Sequence, residues 1–140
     1  MRLYRLPVQA SERDIDANGH VNNIVYLQWM QDAAIAHSNA VDCAAATTAA
    51  GCIWVARSHH IEYLRPAFAG DSITVLTWLV DANRKISSPR RYRVVRDTDG
   101  AVLAKGETLW VFVDTQTGRP RTIPPEVIGC FEPVRPDEEP

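Results

Sequence analysis

One hundred and forty residues bound the chain to a single domain, 1–140, long enough to bury a core without disulfides or metal. With 46% hydrophobic and 23% charged residues it has ordinary globular composition, which excludes a disordered chain. Fifteen Lys+Arg against seventeen Asp+Glu leave a net charge of −2, so no bulk positive field draws it to nucleic acid or an anionic membrane. In chain order, Leu3 to Gln9 reads as a first strand feeding the polar run Ser11-Glu12-Arg13-Asp14. From Asn23 the period becomes helical. Tyr26, Trp29, Met30, Ala33, Ala34, His37 and Val41 share one face, and Asn22 or Asn23 is placed to cap the N-terminus. After an Ala/Thr-rich stretch ending at Gly51, four β-rich segments follow: Ile53 to Leu64, Ser72 to Ala82, Arg90 to Arg96 and Val102 to Asp114. Leu76–Val80 and Leu109–Val113 are apolar on both faces and require cover on each, from the helix and a loop or from a second subunit. The fold class expected is α+β, an antiparallel sheet curved around one long helix, with the four later strands in a meander. The Pro-rich tail from about residue 115 reads as mostly irregular, with a frayed acidic end.

The stretch that carries chemistry runs from Asp14 to Tyr26. It sets two carboxylates, an imidazole and three side-chain amides between a strand and a helix start. Adding water to a carbonyl needs a group that activates water or attacks directly, and donors aimed at the developing oxyanion. Asp16 supplies the first. Backbone N–H groups around Val21 to Asn23, at the positive end of the helix, supply the second. Asp14-x-Asp16-x-Asn18-Gly19 also matches the opening of a calcium-binding loop, but the closing bidentate Glu is Val25 here and no helix enters. A metal site on Asp14, Asp16 and His20 lacks a second imidazole at helical spacing. A turn serving backbone geometry alone accounts for Gly19 and one Asn, but not for His20 and two acids together.

The run Asp14 to Tyr26, with Trp29 following, resembles the hot-dog-fold thioesterases of the 4-hydroxybenzoyl-CoA and acyl-CoA thioesterase group. It is also similar to the Asp-x-Asn-x-His-Val-Asn-Asn motif of plant acyl-carrier-protein thioesterases. Ile61 to Ala67 with Gly70-Asp71, and Leu109 to Asp114 with Gly118 to Arg121, extend the resemblance through most of the chain. The resemblance implies a hot-dog fold and a thioester hydrolase acting on acyl-CoA or an acyl carrier protein, with no cofactor, since coenzyme A is part of the substrate. It implies Asp16 as the catalytic carboxylate, Asn23 as the residue whose backbone N–H polarises the carbonyl, and Asn18 and His20 as an assisting polar pair. Asp14 takes a supporting role. The chain departs from the plant enzymes at Pro66, where they have a further acid; Glu62 is nearby but differently placed. The family associates through its sheets, so a homodimer or homotetramer is implied.

Arg84, Lys85, Arg90, Arg91, Arg93 and Arg96 put six basic groups within thirteen residues, and arginine forks suit the phosphates of coenzyme A. Arg84, Arg90 and Arg91 are therefore expected as substrate-binding residues, against the alternative of a solvated strand face. Cys43, Cys52 and Cys130 lack close pairing and read as free thiols. With no leader-like run at Met1–Arg5 and no stretch of about 18 apolar residues, the expectation is a cytoplasmic protein without membrane insertion. Two other functions stay open on the sequence. One is a non-catalytic acyl-thioester-binding module. The other is a hot-dog dehydratase or hydratase, for which the helix offers Asp32 and His37 but no Glu.

Overall fold

The side chain of Asn22 accepts a hydrogen bond from the Ile24 N–H at 3.0 Å and starts the long helix α1, Asn23–Ala40. The computed structural model describes all residues, Met1–Pro140. Tyr26, Trp29, Met30, Ala33, Ala34 and His37 are buried along α1, the face that the 3.6-residue period marks. They lie on a sheet of five antiparallel strands: β1 Tyr4–Gln9, β2 Cys52–Tyr63, β3 Ser72–Leu79, β4 Ser87–Arg96 and β5 Val102–Asp114. The spatial order is β1-β3-β4-β5-β2, so β1 and β2 are the edges. Ile73, Val75, Tyr92, Val94 and Ala104 meet the helix from the sheet's inner face and join the main apolar cluster. This is the expected sheet around one long helix.

The Met30 side chain of α1 fills the space over Gly106 of β5. A Cβ there would stand 2.7 Å from Met30 Sδ, inside van der Waals contact. Gly106→Val is expected to destabilise the fold by about 1–3 kcal/mol through overpacking, read as a lower urea midpoint with unchanged slope. Gly106→Ala should cost less, because the tip of Met30 is flexible.

Three elements differ from the sequence reading. The Ala/Thr-rich stretch forms a second helix, α2, Cys43–Ala49, after a reversal at Asp42 in the left-handed region at φ 58°. Alanine favours helix, and Asp tolerates that conformation better than most residues. β4 begins at Ser87 rather than Arg90 and includes Pro89. The Pro89 carbonyl accepts from Val80 N–H, just beyond the end of β3, so the missing Pro N–H interrupts no ladder there. The third difference concerns the tail, which is mostly irregular as expected but is packed down rather than frayed at its end. A short helix α3, Pro125–Ile128, presents Val127, and with Ile123 and Phe131 it packs against Cys43, Cys52, Leu79 and Phe112. Val134 then pairs with Val80, and Glu139 accepts from Trp78 Nε1 at 2.8 Å. Apolar residues spaced three or four apart along this proline-rich segment let it fasten to the sheet. The outer-face cover over Trp78 and Val80 therefore comes from the chain's own end and from Leu3.

Candidate active site

Between β1 and α1 the chain folds into a miniature ribbon. Ile15 pairs with Val21, Asp16 N–H donates to the His20 carbonyl at 3.0 Å, and Asn22 N–H donates to the Asp14 carbonyl at 2.8 Å. The tip is a turn closed by Gly19 N–H on the Asp16 carbonyl at 3.0 Å, with Gly19 at φ 79°, a conformation that suits glycine. Val21 N–H ties the ribbon to the Ala67 carbonyl at 2.9 Å, and the Tyr26 hydroxyl accepts from Ala67 N–H at 3.0 Å. The two acids are thereby separated in role. Asp14 accepts from Ser11 N–H at 2.9 Å and faces its Oγ at 3.3 Å, so it holds the entry to the ribbon. Asp16 lies two residues further, about 7 Å along the ribbon from the pair abutting the helix. One carboxylate oxygen of Asp16 accepts from Asn18 N–H at 2.9 Å; the other makes no hydrogen bond within the chain.

At the helix start, Ile24 N–H is taken by the Asn22 side chain and Val25 N–H by the Asn22 carbonyl, whereas Asn23 N–H donates to nothing in the chain. An unspent amide at the positive end of an 18-residue helix is a donor suited to a carbonyl oxygen gaining negative charge. The Tyr63 hydroxyl donates to the Asn23 carbonyl at 3.0 Å, pinning the end of β2 to the first residue of α1. Nothing in the sequence marks Tyr63 for this bond, because a contact across forty residues leaves no local signal. Asn18 and His20 are exposed on the turn, with the His20 ring edge-on to Phe68 at 5.3 Å. Around them Ile24, 75% exposed, and the half-exposed Tyr63, Leu64 and Phe68 form an apolar rim.

The basic run does not gather into one patch. β4 alternates faces, so Arg90 turns inward and is 4% exposed, while Arg91 turns outward and pairs with Glu107 and Glu139. Arg84 sits on the exposed loop before β4, and Arg96 pairs with Asp71 and Asp99. A joint phosphate cradle of Arg84, Arg90 and Arg91 is therefore not assembled within the chain. The helix residues that a dehydratase would draw on are engaged elsewhere: Asp32 accepts from Gln28 in solvent, and His37 is fully buried.

His37 Nε2 lies 2.9 Å from the Met1 carbonyl and Nδ1 lies 3.0 Å from Arg90 Nη1, which fixes the neutral tautomer with Nε2 as donor and Nδ1 as acceptor. Burial, then the Arg90 charge, lower its pKa to about 4 from an ordinary 6.5. The folded state binds the proton less well than the unfolded state, so this contribution is intact above pH 6.5 and is lost as pH falls toward 4. Chemical denaturation across that window should show a loss on the order of 3 kcal/mol, and the His37→Gln variant should show a flatter profile.

The profile of the thioesterase-like superfamily matches residues 11–131. The L-carnitine dehydrogenase/betainyl-CoA thioesterase of Agrobacterium fabrum is 30% identical over 125 residues, 89% of this chain and 25% of that protein. This chain thus spans about a quarter of that relative's length. Among solved structures, a 1,4-dihydroxy-2-naphthoyl-CoA thioesterase from Synechocystis superposes with a TM-score of 0.81 at 16% identity, over 92% of this chain and 95% of that one. The 12:0-ACP thioesterase from Umbellularia californica gives 0.83 at 22% identity, over 99% of this chain and 55% of that one. Both likenesses are of fold, and the fold is the hot-dog.

Proposed function

The chain belongs to the thioesterase-like superfamily, and on that premise we propose that it hydrolyses an acyl-CoA thioester to a carboxylic acid and free coenzyme A. The observation that carries this reading is the pairing of two unspent groups on one ribbon-and-helix unit: a free oxygen of Asp16 and the free N–H of Asn23. Asn23 N–H, backed by the helix dipole, polarises the thioester carbonyl. Asp16 attacks the carbon or takes the proton of the attacking water, and sulfur leaves as the thiol. Asn18 holds Asp16 through its backbone, and His20 lines the approach. Betainyl-CoA, named for the Agrobacterium relative, joins the substrates to be tested.

A single copy presents this unit on an open surface. β2 is a twelve-residue edge strand with Ile53 and Val55 exposed along it, and an unprotected edge of that length recruits another strand. A homodimer built on paired β2 strands closes the rim at Ile24, Tyr63 and Leu64 over the thioester. No helix is long and apolar enough to cross a membrane. The three unbridged cysteines fit a reducing cytoplasm. Thiol release from a panel of acyl-CoAs tests the proposal. Release from at least one of them is expected; binding without release by the folded dimer leaves a non-catalytic module instead.

A further inference from the structure

Under the second half of α1 lies a cavity of about 220 Å³, lined by Ala34, Ile35, Trp54, Leu79, Trp110 and Phe131 among others, with Arg90 in its wall. The apolar lining suits an acyl group. The arginine does not belong in such a lining without a partner, because a buried guanidinium is costly unless it is paired. No carboxylate stands within ion-pair distance of Arg90. Its Nη1 is spent on Thr77 Oγ1 at 3.0 Å and on His37 Nδ1 at 3.0 Å, and the His37 ring is neutral. The Phe131 ring covers the guanidinium at 5.1 Å. Nε and Nη2 make no hydrogen bond within the chain. These two N–H groups form the side of the guanidinium that grips a carboxylate with two parallel bonds. On the same sheet face, Tyr92 Oη and Trp110 Nε1 are buried and also lack partners. Trp110 Nε1–H, a donor only, lines the same cavity as Arg90, and the Tyr92 hydroxyl, donor or acceptor, lies beside it.

Resting on the hydrolase reading above, we infer that this cavity receives the far end of an acyl group terminating in a carboxylate, so that dicarboxylyl-CoA thioesters are the substrate class and Arg90 is the specificity residue. The placement is consistent with the dimer. Two β2 strands paired antiparallel about their midpoints bring Trp54, at the cavity wall, beside the end of β2 in the second copy. That end is pinned by Tyr63 to the helix start carrying Asn23. An acyl chain held at one copy's helix start therefore points into the other copy's cavity. Within one copy the cavity begins at Ala34, about 16 Å along α1 from Asn23. The same buried positive charge disfavours an acyl group that ends in a quaternary ammonium.

The test compares kcat/KM for adipyl-, suberyl- and sebacyl-CoA with hexanoyl-, octanoyl- and decanoyl-CoA and with a quaternary-ammonium acyl-CoA. It uses the wild type, Arg90→Met and Arg90→Lys, each checked for cooperative unfolding. The wild type should favour the carboxylate-ended series by about tenfold to a hundredfold. Arg90→Met should abolish that ratio, and Arg90→Lys, which keeps the charge without the fork, should retain part of it. Free adipate and suberate should raise the melting temperature of the wild type and not of Arg90→Met, a readout that needs no turnover. Equal rates for the two series, or preference for the methyl-ended or cationic chains, overturns the assignment. Arg90-dependent stabilisation by dicarboxylates without hydrolysis of any thioester preserves the assignment and overturns the hydrolase reading. Absence of both overturns both.

Discussion

Asp16→Asn is expected to lower kcat for thioester hydrolysis by about two to four orders of magnitude, with KM changed little. The amide oxygen of Asn still accepts from Asn18 N–H, so the turn Asp16–Gly19 keeps its geometry while the charge and the basic oxygen disappear. The loss then belongs to the transition state. Asp14 provides the control, because its carboxylate is occupied by Ser11 N–H and Oγ at the ribbon's entry. Asp14→Ala should cost about 1 kcal/mol of stability, as the loss of a capping side chain does, and should change kcat far less than the Asp16 variant. Near-normal turnover by a folded Asp16→Asn enzyme would remove Asp16 from the mechanism, and an inverted ranking of the two acids would exchange their roles.

The helix and its buried face were legible in the sequence because one period runs unbroken from Tyr26 to His37 and an Asn stands ready as its cap. The strands were legible in number and chain order, with ends displaced where a neighbouring strand stops, as at Pro89. The expected four-strand meander does not form, because β2 pairs with β5 at the sheet's edge and β1 takes the place beside β3. The candidate ribbon was legible as a cluster of residue types. What closes it was not: the Tyr63 hydroxyl on the Asn23 carbonyl and Val21 on Ala67 join positions forty or more residues apart in sequence. The arginines show a different failure. Counted as a run they suggest a patch, but a strand's period of two sends Arg90 to the core and Arg91 to the outer face. Neighbours in sequence thus stand in different surroundings, which composition does not reveal. α2 was hidden by its Ala/Thr composition, which carries helix propensity but no clear periodic face.

Trp78→Ala should destabilise the fold by about 3–5 kcal/mol, the range for removing a large aromatic from a closed site. Trp78 is fully buried although it points to the outer face of the sheet, away from α1. Its cover consists of Leu3, Leu76, Val80 and Val134, with the Arg93 guanidinium 5.1 Å from its ring and Glu139 on its Nε1. Val134 and Glu139 are the tail's share of that cover, and Val134 is held by its N–H on the Leu79 carbonyl at 2.8 Å and by Asp81 N–H on its own carbonyl at 2.9 Å. Emptying the site removes what the tail packs on. Hydrogen exchange at Val134 through Glu139 should therefore quicken in the variant, beyond what global unfolding accounts for. Trp78→Phe keeps an aromatic ring but gives up part of the indole's volume and the bond to Glu139, for an expected cost of about 1–3 kcal/mol, below that of Trp78→Ala. A loss below about 1 kcal/mol for Trp78→Ala would mean that the tail does not close this face in solution. The apolar outer surface of β3 would then need its cover from a second copy, and the tail would return to the loose end that its prolines suggest.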